Sequence, residues 1–509
     1  MEQKNIKTTV FTTETIFKDS AEIPIDVDFN LPEYCPQISK ILKCKAAARI
    51  SSKNIGNRSV SADGSVTVTV IYSDDENTIS SYEYQYPFSK TFEAGIDLSS
   101  AMLNVKTKCE YLNCRAVTGR KIDIHGAVSV SVCVSARRGK DVICDIDDNS
   151  IEVLRQTVPA TMPVCQAEKY IVIEEEIELG NSKPDIQCLI RYDTAVSVGE
   201  CKLLAGKGIV KGDIAVSVLY RSVTGELQTL KSTIPFSQLL EMEGVGEECE
   251  CEAGAYIAYL EIKPKFAPSG EARGFTVDGK LLLSVESYCN NDVEVITDAY
   301  SRKYEAQILN ETVSLNKLVC TIHDTFNCRQ ELEFPEGSLC EIKDLWCDIK
   351  TDNVKFEGEC LVILGTANAN IIACDKSGVP SCFERPIEFS YRYNLSSDTD
   401  NLRADPQISI ISSNYTLSSD NCIEIRLELS VNTAVYECKE LPLISDVQVN
   451  ETKPVDRSGR CAMTIYFAEA GENIWNIARR YLADINEVKR LNDIENDDLS
   501  QNKMILIPV

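Results

Sequence analysis

Residues 64–72 read GSVTVTVIY and residues 212–220 read GDIAVSVLY. In both runs an apolar side chain falls on every second position and a tyrosine closes the run. Alternation with a period of two turns one face of a strand toward a core and the other toward solvent. The valine and isoleucine content suits a pleated, half-buried surface. VSVSVCV (128–134) and IEIRLEL (423–429) repeat the pattern, so the chain reads as antiparallel β structure. Glycines at or just ahead of these runs (Gly64, Gly126, Gly212, Gly279, Gly358) predict turns that need positive φ.

The two runs lie 148 residues apart, and other landmarks keep that spacing. Pro36-Gln37-Ile38 matches Pro184-Asp185-Ile186, and Pro87-Phe88-Ser89 matches Pro235-Phe236-Ser237. The closing strands that begin at His125-Gly126 and Asp278-Gly279 belong to the same repeat. A looser third copy aligns Cys340-Glu341-Ile342 and Leu345-Trp346 with the first landmark. In it Gly358-Glu359-Cys360-Leu361 stands for the second, Phe389-Ser390 for the third, and Ile423–Leu429 for the closing strand. A repeat of this length is a structural unit. The prediction is a mainly β protein with three tandem antiparallel β-sandwich-like modules, at 25–150, 166–300 and 306–445. An N-terminal extension or strand (1–24) precedes them. A polar linker (446–460) leads to a small βααβ domain at 461–509.

In that last segment Tyr466–Ala468 reads as a strand and Asn473 as a helix N-cap. Ile474, Ile477, Ala478 and Tyr481 share one helix face. Asp484 caps a second helix, and Met504–Pro508 forms the closing strand. Trp475 and Arg479 lie together on a different face of the first helix. Three readings apply to Trp475: contact with a partner protein, which its pairing with arginine favours, packing over the module's own loop, and stacking on a sugar. Trp346 reads as an anchor of the third core or of an interface, with the core favoured.

The net charge of −26 makes nucleic acid and anionic lipid poor partners. Arg479, Arg480, Lys489 and Arg490 read as a solvated helix face rather than an anion site. The first residues lack a secretory pattern, and no window offers a membrane helix, so the expectation is a cytoplasmic protein with no direct membrane insertion. The 22 cysteines include no C-x-x-C pair, and with only His125 and His323 available a zinc site is disfavoured. Reduced structural thiols are the favoured reading, oxidative cross-linking the second and metal the third. His125 is placed in a turn leading into a strand. No catalytic triad and no phosphate-binding loop can be assembled, so no enzyme, cofactor or catalytic residue is expected.

Two resemblances follow from these residues. The opening Leu31-Pro32…Pro36-x-Ile38-x-x-Ile41-Leu42, with the strand at 64–72, resembles the SPOCS domain of spore-coat-associated proteins from Clostridia and Bacilli. The segments YFAEAGENIWNIARRY, INEVKRLNDI and ILIP resemble LysM from end to end. LysM implies a shallow groove for peptidoglycan or other N-acetylglucosamine glycans. One wall would be Gly471, Glu472, Asn473 and Ile474; the other would be Asn492, Asp493, Ile494 and the stretch with Gln501 and Asn502. Departures fall beside this groove. Gly471-Glu472-Asn473 stands for Gly-Asp-Thr, Gln501-Asn502 for Pro-Gly, and Leu482 for a glycine.

Together, SPOCS copies and a terminal LysM resemble the SipL-like family of spore-coat morphogenetic proteins. That implies a scaffold made in the mother cell and placed at the forespore surface. Its LysM module, with Trp475 and Arg479, would bind the coat morphogenetic ATPase SpoIVA. The alternatives are a peptidoglycan-binding protein of the cortex or wall, and a coat or filament subunit that self-associates.

Overall fold

The alternating runs form strands throughout a computed structural model that describes residues 4–98, 101–268, 270–395, 401–419, 421–458 and 461–508. The first module comprises β1 (Lys4–Asn30), β2 (Lys40–Ile55), β3 (Ser59–Ser73), β4 (Ile79–Glu93), β5 (Ala101–Ala116) and β6 (Lys121–Asp147). One sheet has the order β2-β3-β4 and the other β1-β6-β5. The second module repeats this with β7 (Ile151–Glu178), β8 (Ile186–Leu204), β9 (Lys207–Ser222), β10 (Leu227–Glu241), β11 (Glu250–Phe266) and β12 (Ala272–Ser301). The third has β13 (Tyr304–Glu333), β14 (Glu341–Glu357), β15 (Cys360–Cys374), β16 (Pro380–Asn394), β17 (Leu402–Ala404), β18 (Gln407–Ser419) and β19 (Cys422–Pro454). There the single strand seen as β5 or β11 is split into β17 and β18, both paired to β19. The C-terminal domain is β20 (Met463–Ala468), α1 (Ile474–Tyr481), α2 (Ile485–Asn492) and β21 (Lys503–Pro508).

The repeated landmarks have physical causes. Gly64, Gly126, Gly212 and Gly279 lie inside strands, not in turns; of the five singled out, Gly358 alone has positive φ. Gly64 pairs with Phe88 and Gly212 with Phe236 across neighbouring strands, and each ring lies over its glycine. A Cβ on Gly212 would sit 2.2 Å from the Ser197 carbonyl oxygen and 2.5 Å from the Phe236 ring. The Pro-Phe-Ser landmark therefore supplies the ring that fills the glycine's missing side chain. Gly365 pairs with Phe389 in the same way, so Gly365, not Gly358, is the third-copy equivalent, and the third register is corrected accordingly. The Pro-x-Ile bends have a cause too. The Tyr72 hydroxyl donates to the Pro36 carbonyl (3.3 Å) and Tyr220 to Pro184 (3.2 Å). In the third copy that proline is missing, and Ala373 takes the tyrosine's place opposite Ile342.

The modules are not separate beads. β1, β7 and β13 each extend beyond their sandwich and pair with the distal half of β6, β12 or β19. Residues 4–24 are therefore the first part of β1, and residues 446–454, expected in the linker, continue β19 to Pro454. Residues 459 and 460 of that expected linker lie outside the described residues. Each hairpin arm has one apolar side, and the three sides meet. Val10 and Val142, Val158 and Val295, and Val313 and Leu443 form one shared core. Ile143, Ile296 and Ile444 anchor another beyond it.

The inner sheets meet in a further core of Ile71, Ile79, Ile190, Leu219, Trp346 and Ile372. Trp346 thus anchors a junction between modules rather than the third core. The Arg191 guanidinium lies 4.3 Å from the centre of its ring. Arg191 also reaches Asp344 of the third module at 2.7 Å, both side chains buried, and touches Asp193. Lys45 of the first module bonds to Asp348 (2.9 Å) and Asp193 (3.4 Å). Burial pushes the Asp344 carboxyl above its usual range despite Arg191.

Two tests follow. Arg191→Leu strands Asp344 in the interior and should cost about 3–5 kcal/mol in chemical denaturation, whereas Arg191→Leu with Asp344→Leu should recover most of it. Equal losses in the two variants would sink this account. Gly212→Ala should cost about 2 kcal/mol, the usual penalty of forcing an atom into a packed site; an unchanged midpoint would contradict the ring-over-glycine packing.

Candidate functional site

The C-terminal domain folds around Ala468, Ile474, Ile477, Ala483, Val488, Leu499, Ile505 and Ile507. Both helix caps form as their residue types dictate. The Asn473 side chain accepts from the Trp475 N–H (2.8 Å), and Asp484 accepts from Asn486 (3.0 Å) and Glu487 (3.1 Å). Leu482, where LysM has glycine, ends α1 with φ of 52°.

The first predicted groove wall spends its polar groups within the domain, mainly on residues 497–499, which the expected groove did not include. Gly471 N–H donates to the Leu499 carbonyl (2.7 Å), Leu499 N–H to Glu472 (3.0 Å) and Ile474 N–H to Asp497 (2.8 Å). The Asn473 amide donates to Asp498 (2.8 Å), and Ala470 N–H to the Asn502 side chain (2.8 Å). The Glu472 carboxylate accepts from Glu469 N–H and the Tyr466 hydroxyl, which hold it below the usual range. Asn492 is buried and serves the fold. Its amide donates to the Val488 and Leu506 carbonyls, and its oxygen accepts from Leu506 N–H (2.7 Å). Asp493 ends α2 in the left-handed region, and Ile494 packs on the domain core. Ile474 is buried, and Gln501 is exposed at the rim.

Trp475 and Arg479 stand elsewhere. The sequence places them on an outward helix face; the structure closes that face against the second β module. Trp475 is 3% exposed. Its ring lies 5.0 Å from Tyr300 at the end of β12, and its indole N–H donates to Asp298 (2.7 Å). Arg479 donates to the same carboxylate oxygen (2.6 Å). The Tyr300 hydroxyl donates to the Ala483 carbonyl (2.7 Å). Arg302 pairs with the helix cap Asp484 (2.7 Å) and with Glu152 (2.9 Å). Leu154, Leu482 and Ile485 complete the apolar contact. Burying the tryptophan contributes on the order of 3 kcal/mol, and the aromatic pair adds to it. The reading of Trp475 as a free contact for a partner is corrected: an acidic and aromatic strand end on the same chain covers it. The signal was the run Asp298-Ala299-Tyr300-Ser301-Arg302, whose destination depends on tertiary packing.

What the domain leaves open is the outer side of its two-stranded sheet. Met463, Ile465 and Phe467 alternate along β20 opposite Pro508, Leu506 and Met504 of β21. Phe467 is 76% exposed, and Met463, Ile465 and Met504 are each about half exposed. Sequence reasoning placed a strand at Tyr466–Ala468 and assigned it no surface role. His125, expected in a turn, lies within β6 between Asp26 and Asp123, both 3.1 Å away. Glu248, Cys249 and Cys289 form a cluster of metal-ligand types, but the two sulfurs are joined as a disulfide. Cys249 and Cys289 thus depart from the expected reduced thiols; the other twenty cysteines are free.

This geometry defines a class: a repeated β scaffold carrying a small recognition domain of LysM type on its flank. The family described as SipL, SPOCS domain, matches residues 37–117 and 185–265, and the LysM domain family matches residues 469–508. The chain thus carries two SPOCS domains of the SipL type followed by a C-terminal LysM domain. The SPOCS matches begin 148 residues apart, the spacing of the internal repeat. The third module lies outside both matches yet shares their strand order in its β14-β15-β16 sheet. No curated protein and no solved structure matches the chain. Both matched families are non-catalytic domain families. Among the described residues no helix is long and apolar enough to cross a membrane.

The docked state makes its own prediction. Asp298→Ala removes the acceptor shared by Trp475 and Arg479, so acrylamide should quench Trp475 fluorescence severalfold more strongly, while buried Trp346 stays protected. Unchanged quenching would mean that the clamp is not what holds the domain.

Proposed function

We propose that this sporulation protein is a non-enzymatic scaffold that binds the coat morphogenetic ATPase SpoIVA through its LysM domain and helps lay the coat on the forespore from the mother-cell side. The observation that carries this reading is the exposed apolar sheet face at Met463, Ile465, Phe467 and Met504. Such a contiguous surface suits a protein partner. The groove argues the same way, because its backbone donors at Ala470, Gly471, Ile474 and Leu499 are already paired within the domain. The acidic charge favours a protein partner over a polyanion.

The second reading, peptidoglycan binding, is favoured by the LysM match across the groove residues. Capture by the immobilised full-length chain separates the two. Wild type should retain SpoIVA and not purified peptidoglycan. Phe467→Asp, a surface change that spares the core, should weaken SpoIVA capture about tenfold or more. Retention of peptidoglycan without SpoIVA would replace the first reading by the second. Trp475→Glu is the wrong probe for the interface, because it breaks the internal clamp.

A further inference from the structure

The first and second modules each hold two thiols on facing strands of their two sheets. Cys44 lies on β2 and Cys114 on β5; Cys201 lies on β8 and Cys251 on β11. Each pair therefore spans the seam between the sheets, at the margin of the module's core. The Cys201 and Cys251 sulfurs stand 2.7 Å apart. Cys44 and Cys114 lie on the contacting strands β2 and β5 and pack against one core. A disulfide bond closes at about 2.05 Å, so the Cys201–Cys251 pair needs only a small movement. All four residues are part-exposed, within reach of a small oxidant.

We propose that these two pairs are oxidation sites that staple the sheets of the first two modules, with a hydroperoxide as the oxidant. The more acidic thiol of each pair reacts first. Contact with Cys201 holds Cys251 below the usual thiol range, and contact with Cys44 does the same for Cys114. The Cys251 thiolate attacks one peroxide oxygen. The O–O bond breaks, giving a sulfenic acid and, after protonation of the leaving oxygen, water. The Cys201 sulfur then attacks the sulfenic sulfur, the S–O bond breaks, and the second water leaves with the Cys201 proton. Two thiols and one hydrogen peroxide become one disulfide and two waters. Cys114 and Cys44 follow the same steps.

The third module provides an internal contrast. Cys328 on β13 directs its thiol at the Glu388 carbonyl (3.8 Å). It should stay alkylatable at a dose that closes the other pairs.

The experiment uses the full chain, reduced, freed of reductant and exposed to stoichiometric hydrogen peroxide. Peptides are then mapped without reduction after alkylation. Cys201–Cys251 and Cys44–Cys114 should appear as linked peptides, each lighter by two hydrogens, beside Cys249–Cys289. The oxidised chain should melt higher by about 5 °C, since a cross-link constrains the unfolded chain. That gain should vanish in Cys201→Ser with Cys114→Ser. The proposal is overturned if these four cysteines stay alkylatable or gain oxygen while other pairs link, or if they link without raising the melting temperature.

Discussion

Three two-stranded arms, each apolar on one side, have nowhere to bury that side except against one another. The arms formed by β1 with β6, β7 with β12 and β13 with β19 meet in two successive aliphatic cores, through Val10, Val158 and Val313 in the first and Ile143, Ile296 and Ile444 in the second. A lone hairpin is marginal in water, so no arm would persist without its two counterparts. The sandwiches at the other end are tied by the same necessity, through Trp346 and the aliphatic residues around it. The three repeats are better described as one triangular body than as a string of domains.

Much of this was legible in residues and some was not. The alternation of the 64–72 and 212–220 runs identified the strands, and the spacing of the proline and Pro-Phe-Ser landmarks identified the repeat. Those signals are local and are set by pairing within one module. The joining of modules was not legible, because the apolar side of an arm reads the same whether it faces its own sheet or a neighbour. The third register was misread for a related reason: Gly358 imitates the landmark in sequence, while the Phe389 ring covers Gly365. In-strand glycines were taken for turns because composition does not distinguish a residue that must bend from one that must leave room for a ring.

At the C-terminal domain the fold was readable, because caps, helix faces and strands are encoded within a few dozen residues. What covers a helix face is not. Trp475 beside Arg479 was read chiefly as a contact for a partner protein, but what covers it is Tyr300 and Asp298 of the same chain. Leu482 fits the same account. Its left-handed backbone is a conformation where glycine costs least, and the side chain retained there packs into the contact with the second module.

The route of the chain into that domain has a mechanical meaning. β19 ends at Pro454, opposite Tyr304 at the open end of its hairpin with β13. A pull applied there would unzip the hairpin one rung at a time, the direction in which paired strands resist least. The contact of Trp475, Arg479 and Asp484 with β12 and Arg302 diverts the tension. A tug on the terminal domain is delivered first to the side of the second module, and the vulnerable end of β19 feels it only after that attachment has given way. A body assembled from three interlocked arms can thus be hauled by its smallest part without being undone at the seam.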